Sequence, residues 1–263
     1  MLINQNFIIK SEIDKGLDDF LKLYKKRPIK NNKKGMLFQH MFFTYLILKK
    51  VNPSKVIESG IFRGQSTWLI KKTLPNAKLI AIDIDLNQRK FIDNSVEYLS
   101  SDFSEINFND TNNTLLFLDD HVNHYERIRD AYFCGIKNII LEDNYMPLDK
   151  KTDFYTLNHI LNKSDFIHKP GILSLFKTYL NFNKILLKKI FVKDYNSNKD
   201  LANMNYRIRD VKYNINHHEN LKKIINFYFI FPKLNLNILK NEDKKDYNNE
   251  FSTYNYLTFL KLK

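Results

Sequence analysis

The hydrophobic pattern of this chain changes its period once. From residue 1 to about 50 the apolar positions recur at helical spacing. Leu17, Phe20, Leu21 and Tyr24 share one face, the polar stretch Arg27 to Lys34 interrupts, and apolar residues resume from Met36 to Leu48. Asn52-Pro53 stops the second helix. From Lys55 onward short apolar runs alternate with turns and helical stretches. Strands are predicted at Val56-Ile57, Leu79 to Ile84, Val96 to Leu99, Leu115 to Leu118 and Ile139 to Leu141. Helices are predicted at Ser66 to Leu74, Asn87 to Asn94 and Val122 to Phe133, the last closing at Gly135.

Alternation of this kind specifies an α/β fold with a doubly wound, mostly parallel, Rossmann-like sheet. Beyond Lys150 the pattern loosens. Thr152 to Leu161, Ile172 to Phe191 and His218 to Ile225 read as helices, Tyr228 to Phe231 and Tyr256 to Leu260 as strands, and the polar stretch Asp194 to Asn216 as a loop or insertion. The expected organisation is a helical N-terminal cap over residues 1–50 and a Rossmann-like domain over 51–263, with an irregular C-terminal insertion at about 160–220.

Composition narrows the setting. The 263 residues are enough for one large core, and the single cysteine, Cys134, excludes an internal disulfide and fits a reducing, cytoplasmic location. No apolar run approaches the roughly 20 residues of a membrane span, and the N-terminus lacks the charged-then-apolar order of a signal peptide. The net charge of +13, from 42 basic and 29 acidic residues, raises a nucleic-acid reading. The excess is mostly lysine, spread along the chain with concentrations at Lys25 to Lys34 and Lys184 to Lys193 and accompanied by abundant Asn and Ile. A solvated basic surface outweighs nucleic-acid binding on that distribution, and a small-molecule ligand is the expected partner. Self-association is left open.

The candidate chemistry lies after the predicted strands, where open α/β sheets bind ligands. Glu58-Ser59-Gly60-Ile61-Phe62-Arg63-Gly64-Gln65-Ser66-Thr67 forms the first strand-to-helix turn. Its glycines permit positive φ and close backbone approach, and the helix start offers free N–H groups. Two glycines also suit an ordinary tight turn. The turn departs from the GxGxxG dinucleotide pattern, and a carboxylate at Glu58 suits a cationic ligand better than a diphosphate. About twenty residues on, Asp83 stands where an acid can accept both hydroxyls of a ribose, with Asp85 competing. In Ser101-Asp102-Phe103 a polar pair could meet an adenine edge and the ring its face. The two central apolar runs end in acid, Asp119-Asp120 after one and Glu142-Asp143-Asn144 after the other. Four carboxylates at one edge repel unless a cation, a proton or a basic ligand accompanies them.

The order Glu58-x-Gly60-x-x-x-Gly64, Asp83, Asp102 and two acid-tipped strands resembles the class I S-adenosylmethionine-dependent methyltransferases. The acid doublets resemble those of the metal-dependent O-methyltransferases of the catechol type and the related cephalosporin-hydroxylase-like and macrocin-type sugar methyltransferases. The resemblance covers roughly residues 35 to 150. It implies S-adenosylmethionine as cofactor, with Glu58, Gly60, Gly64 and Ser66 toward its amino-acid end, Asp83 at the ribose and Asp102 with Phe103 at the adenine. It also implies a divalent cation, commonly Mg²⁺, on Asp119, Asp143 and Asn144, with Glu142 competing. Such a cation would lower the pKa of an acceptor hydroxyl.

One departure concerns the base. The catechol-type enzymes carry a lysine shortly after the first metal acid, whereas this chain has Asp120-His121-Val122-Asn123-His124. His121 and His124, three apart on one predicted helical face, are the candidate bases beside Asp119, with a helix-terminal or supporting role as the alternative. The expected activity is O-methyl transfer to a small hydroxylated acceptor such as a sugar or secondary metabolite. A cephalosporin-hydroxylase-like metal enzyme and a degenerate methyltransferase fold serving as a basic binding module are the competing readings.

Overall fold

The computed structural model describes residues 2–32, 34–149, 152–167, 210–251 and 256–263. Among them, eight strands form one sheet: β1 Leu2–Ile3, β2 Lys55–Ser59, β3 Lys78–Ile82, β4 Glu97–Leu99, β5 Thr114–Leu118, β6 Asn138–Leu141, β7 Ile225–Ile230 and β8 Thr258–Leu262. The order across the sheet is β1-β7-β8-β6-β5-β2-β3-β4. Every neighbouring pair is parallel except the two made by β8, which runs antiparallel between β6 and β7.

Both faces of the sheet are covered, which is why the central strands are apolar throughout rather than alternating. Successive side chains point to opposite faces. Val56, Leu79, Leu115, Phe117 and Ile140 join one core cluster with α1 Lys10–Tyr24, α2 Phe38–Val51 and α3 Gln65–Thr73. The alternate residues Ile57, Ile80, Leu116, Leu118, Ile139 and Leu141 join a second cluster with α4 His124–Phe133, α5 Leu157–Leu161 and α6 Ile215–Ile224. A seventh helix, α7 Asn241–Phe251, packs on α2. The N-terminal helices thus supply one layer of the sheet's own core. No helix among the described residues is long and apolar enough to cross a membrane.

Register brings the ends of the strands together. Ser59 pairs with Ile82 on one side and Leu118 on the other, and Leu118 pairs with Leu141. Asp83, Gly60, Asp119 and Glu142 therefore leave the sheet side by side. Connections run from β2 outward through β3 to β4, then return to β5 and run outward through β6, so the order reverses between β2 and β5. That reversal point is where a doubly wound sheet opens a crevice.

Several predicted elements change extent. The helix predicted at Asn87 to Asn94 is only a 3-10 turn, Leu86–Gln88. The amides of Lys90 and Phe91 are drawn instead to the Arg63 carbonyl, at 3.0 and 3.1 Å, so this segment is pinned to the glycine turn and a helical ladder is lost. α4 starts at His124 rather than Val122, because Asn123 caps it through the Tyr125 amide and His121 has φ +55. Thr152 to Leu161 shortens to α5, whose N-cap is Thr156. β1, read with the N-terminal helices in the sequence, pairs with β7 at the sheet edge. Ile172 to Phe191 and residues 194–209 of the predicted loop lie outside the described residues.

Candidate active site

β2 ends against β5, and only glycine fits the first residue beyond it. Gly60 has φ +94, and a Cβ there would stand 2.1 Å from the Asp119 carbonyl oxygen. Gly64 has φ +86 at the N-cap of α3, where a Cβ would meet the Phe91 carbonyl at 2.9 Å. Between the two, the Asp83 carboxylate holds the turn: Oδ2 accepts from the Ile61 and Phe62 amides at 2.8 and 3.1 Å, and Oδ1 accepts from the Asp85 amide at 2.9 Å. The sequence placed Asp83 at a ribose. In the structure both of its oxygens shape the glycine turn.

A cavity of about 830 Å³ opens over this turn, within the usual size of a ligand pocket. Six carboxylates line it, those of Asp83, Asp102, Glu105, Asp119, Asp120 and Asp153, against Lys34 and His121. A cation is favoured there and a phosphate disfavoured.

Four of the residues expected at a cofactor stand behind the cavity wall. Glu58 is fully buried on the α3 side of β2, where Thr67 Oγ1 donates to its Oε2 at 2.7 Å. Burial pushes its pKa up to about 7, against the opposing pull of the Ser66 and Thr67 hydroxyls. Gly64 and Ser66 belong to the same turn and helix start and line neither this cavity nor the one beside it. Phe103 is buried and stacks on Phe108, with ring centroids 5.4 Å apart, because Asp102 caps the 3-10 turn Phe103–Glu105 and directs the ring inward. In this conformation Phe103 offers no face to an adenine, which corrects that expectation.

Arg127, on α4, is the residue the sequence reading missed. Its side chain is 2% exposed and its guanidinium joins two loops. Nη1 and Nη2 donate to Asp102 at 2.9 and 2.6 Å, and Nε donates to Asp120 Oδ2 at 2.8 Å. Ser59 Oγ donates to the same Asp120 oxygen at 2.7 Å. A planar fork pairing two carboxylates is what arginine supplies and lysine does not. Burial alone would raise the pKa of Asp102, but Arg127 and Ser104 bring it down to about 2. Asp120, whose role the sequence left open, is therefore an anchor between β2, α4 and the β4 loop.

Asp119 of the first acid doublet comes close to Glu142 and Asp143 of the second, and histidines come with them. Asp119, His121 and Asp143 each present a ligand atom within 4.8 Å of the others, as do His40, Glu142 and Asp143. Burial, and then the neighbouring Glu142 and Asp143, hold Asp119 well above the usual carboxylate range, with His121 opposing. Glu142 is raised by burial and by Asp143, and it is hydrogen-bonded to His40 Nδ1. His121 Nδ1 meets Asp153 Oδ1 at 3.0 Å, while its Nε2 faces Asp143 Oδ2 at 3.4 Å and Asp119 Oδ1 at 4.0 Å. Burial would lower the pKa of His121, but the three carboxylates raise it to about 9.

Two further residues take places other than those predicted. Asn144 turns into the core: Nδ2 donates to Thr258 Oγ1 at 2.9 Å and Oδ1 accepts from the Asn158 amide at 2.8 Å, so its amide ties β6 to β8 and α5. Glu142 stands nearer the cluster in its stead. His124 does not share a helical face with His121, since the helix begins only at His124. It is buried, its Nδ1 accepts from the Leu157 amide at 3.1 Å, and burial lowers its pKa to about 3. A neutral ring holding the start of α5 has no free nitrogen lone pair to act as a base.

A second cavity of about 410 Å³ adjoins the first and shares Lys34, Gly35, Asp119 and His121 with it. Its remaining wall is Met36, Leu37, His40, Glu142, Asp143 and Tyr145. Two chambers thus meet at Asp119 and His121, one broad and acid-lined, the other smaller and partly apolar.

No protein-family model matches the chain, and no curated protein matches it. Solved structures share its outline at low identity. A putative O-methyltransferase from Klebsiella pneumoniae is 10% identical, with a TM-score of 0.44 over 98% of this chain and 92% of that one. A putative S-adenosylmethionine-dependent methyltransferase from Listeria monocytogenes is 14% identical, with a TM-score of 0.40 over 85% and 96%. The apo form of CmcI is 17% identical, with a TM-score of 0.34 over 39% of this chain. That last match spans about half of CmcI, 51% of its length.

Proposed function

We propose that this chain is an S-adenosylmethionine-dependent O-methyltransferase that uses a divalent cation and acts on a small hydroxylated acceptor. The observation that carries the reading is the junction of the two cavities, with an acid-lined chamber at the sheet's reversal point opening onto the three-carboxylate cluster of Asp119, Glu142 and Asp143. The larger chamber suits a cationic nucleoside on three counts: its size, its charge, and a glycine turn in which any Cβ at Gly60 would collide with Asp119. Asp83 would then face the ribose and Asp102, fixed by Arg127, the adenine end. When bound there, S-adenosylmethionine would supply an electrophilic methyl group for transfer to the acceptor oxygen.

The carboxylate cluster fits a cation by the chemistry of its donors. Burial and neighbouring acids raise the pKa of Asp119 and Glu142, which a positive ion would relieve, and carboxylate oxygens are hard donors suited to divalent metals. Asp119, Glu142 and Asp143 would hold it, and it would make an acceptor hydroxyl more acidic. The smaller chamber would orient the acceptor, with Met36, Leu37 and Tyr145 excluding water from its apolar side. Correct placement of the two reactants supplies much of the rate. The same acidic lining argues against nucleic acid as the ligand of this crevice, despite the chain's positive net charge.

A thermal-shift series tests the reading. Ligand at a hundred times its dissociation constant stabilises a fold by about 2.7 kcal/mol. At this chain length that is a rise of roughly 5 to 10 °C with S-adenosylmethionine or S-adenosylhomocysteine. No rise with either compound, in the presence or absence of divalent cations, would refute it.

A further inference from the structure

The carboxylate cluster is not purely a set of oxygen donors, because an imidazole is held inside it. We propose that His121 is a direct ligand of the divalent cation through Nε2, beside Asp119 and Asp143, with Asp153 as the carboxylate that fixes the ring. This rests on the metal reading above and changes which ion the site selects.

Four observations support it. First, the distances fit. Two atoms bound to one cation at about 2.1 Å stand roughly 3 Å apart at a right angle and about 3.4 Å apart at a tetrahedral angle. Nε2 of His121 is already 3.4 Å from Asp143 Oδ2, and the 4.0 Å to Asp119 Oδ1 closes with a small side-chain adjustment. Second, the other ring nitrogen is occupied. Asp153 meets Nδ1 with both oxygens, at 3.0 and 3.1 Å, which assigns a proton to Nδ1 and turns Nε2 toward the acids. A carboxylate behind a ligating histidine is a recurrent way to set tautomer and ring orientation.

Third, the backbone is bent to place the ring. His121 adopts φ +55, an unusual conformation for a non-glycine residue that is kept only where the surroundings impose it. Here both flanks are fixed. Asp119 donates its amide to the Ser59 carbonyl at 2.8 Å, and Asp120 Oδ1 accepts from the Val122 amide at 3.2 Å. The left-handed residue between them folds the imidazole back over the end of β5, and the Phe154 ring packs against it with centroids 5.4 Å apart. Fourth, His121 lines both cavities, so a ligand at that point reaches cofactor and acceptor chambers alike.

The chemical consequence is selectivity. Carboxylates and water suit magnesium, whereas an imidazole suits zinc, iron, nickel and copper and is well tolerated by manganese and cobalt. A site with one imidazole among its carboxylates is assigned a first-row transition ion in preference to Mg²⁺. The histidine stands where the catechol-type pattern leads one to look for a basic side chain, and its ring would serve the metal instead.

The test uses the full-length protein, stripped of metal by chelation and loaded with Mn²⁺ alone. Pulsed electron paramagnetic resonance should show ¹⁴N modulation from a coordinated imidazole in the wild-type protein, and the modulation should vanish in His121→Ala. Calorimetry should show Mn²⁺ bound more tightly than Mg²⁺, with affinity falling roughly 10- to 100-fold in Asp153→Asn. His40 also stands beside Asp143, so modulation that survives in His121→Ala would overturn the assignment as well, and His121→Gln repeats the test should the alanine variant fold poorly. Mn²⁺ bound without nitrogen modulation would overturn the histidine ligand and leave the carboxylate metal site standing. No Mn²⁺ or Mg²⁺ bound at all would overturn the metal reading itself.

Discussion

Glu58→Gln should remove a loss of stability that the ligand-free parent suffers as pH rises through neutrality. Glu58 is fully buried in β2, Thr67 donates to one of its oxygens, and the other, Oε1, has no hydrogen-bond partner. Burial raises its pKa from 4.5 to about 7, so in the fold the carboxyl favours its neutral form. The sign follows from proton linkage. An acid with a raised folded pKa supports the fold fully at pH below about 4.5, and this support is lost as pH rises through about 7. At about 1.4 kcal/mol per pH unit over that interval, the loss is bounded at about 3 kcal/mol by pH 8. Glutamine has nearly the same shape, keeps an acceptor for Thr67 and does not ionise. The stability of the variant relative to the parent should therefore grow by up to about 3 kcal/mol between pH 4.5 and 8. Urea denaturation of both proteins at half-unit pH steps measures this. A difference that is flat with pH would show that Glu58 ionises as easily in the fold as in the unfolded chain and would refute the reasoning.

Arg127→Met should cost about 1–3 kcal/mol in the same denaturation assay, because it takes the buried guanidinium from the half-buried Asp102 and Asp120 and leaves them only their Ser104, Ser59 and Val122 partners. Arg127→Lys, which keeps the charge and loses the fork, should fall between the two. Gly60→Ala should lose on the order of 2 kcal/mol from its φ of +94 alone, and more from the collision with Asp119, with weaker S-adenosylmethionine binding in calorimetry. His124→Leu should lose about 1–3 kcal/mol by leaving the Leu157 amide without its acceptor. Because the folded pKa of His124 is lowered from 6.5 to about 3, the parent should lose stability as pH falls below 6.5, and the variant should lose less over that range.

What could be read in advance follows from which forces are local. The strands were legible because short apolar runs with abrupt polar ends admit little else, and the registers of β2, β3, β5 and β6 then deliver Asp83, Gly60, Asp119 and Glu142 to one edge. Contacts made across the fold were hidden. Arg127 looked like an ordinary helix-surface cation until α4 laid it between Asp102 and Asp120. Asn144 has the chemistry of a ligand, and Thr258 and Asn158 claim it from elements more than ten residues away. The 87–94 stretch has helical composition, yet its amides bond to Arg63 across the crevice. His121 and His124 look equivalent in sequence, and a single left-handed residue sends one into the cavity and the other into the core.

The larger cavity is the centre of the functional reading, and its charge gives the sharpest test. Calorimetric titration of the full-length protein with S-adenosylmethionine, and in parallel with ATP, compares a cationic and an anionic nucleoside of the same base. Saturable one-to-one binding of S-adenosylmethionine with no binding of ATP is the expected result. ATP binding with no binding of S-adenosylmethionine would contradict both the acid-lined crevice as a cation site and the methyltransferase built upon it.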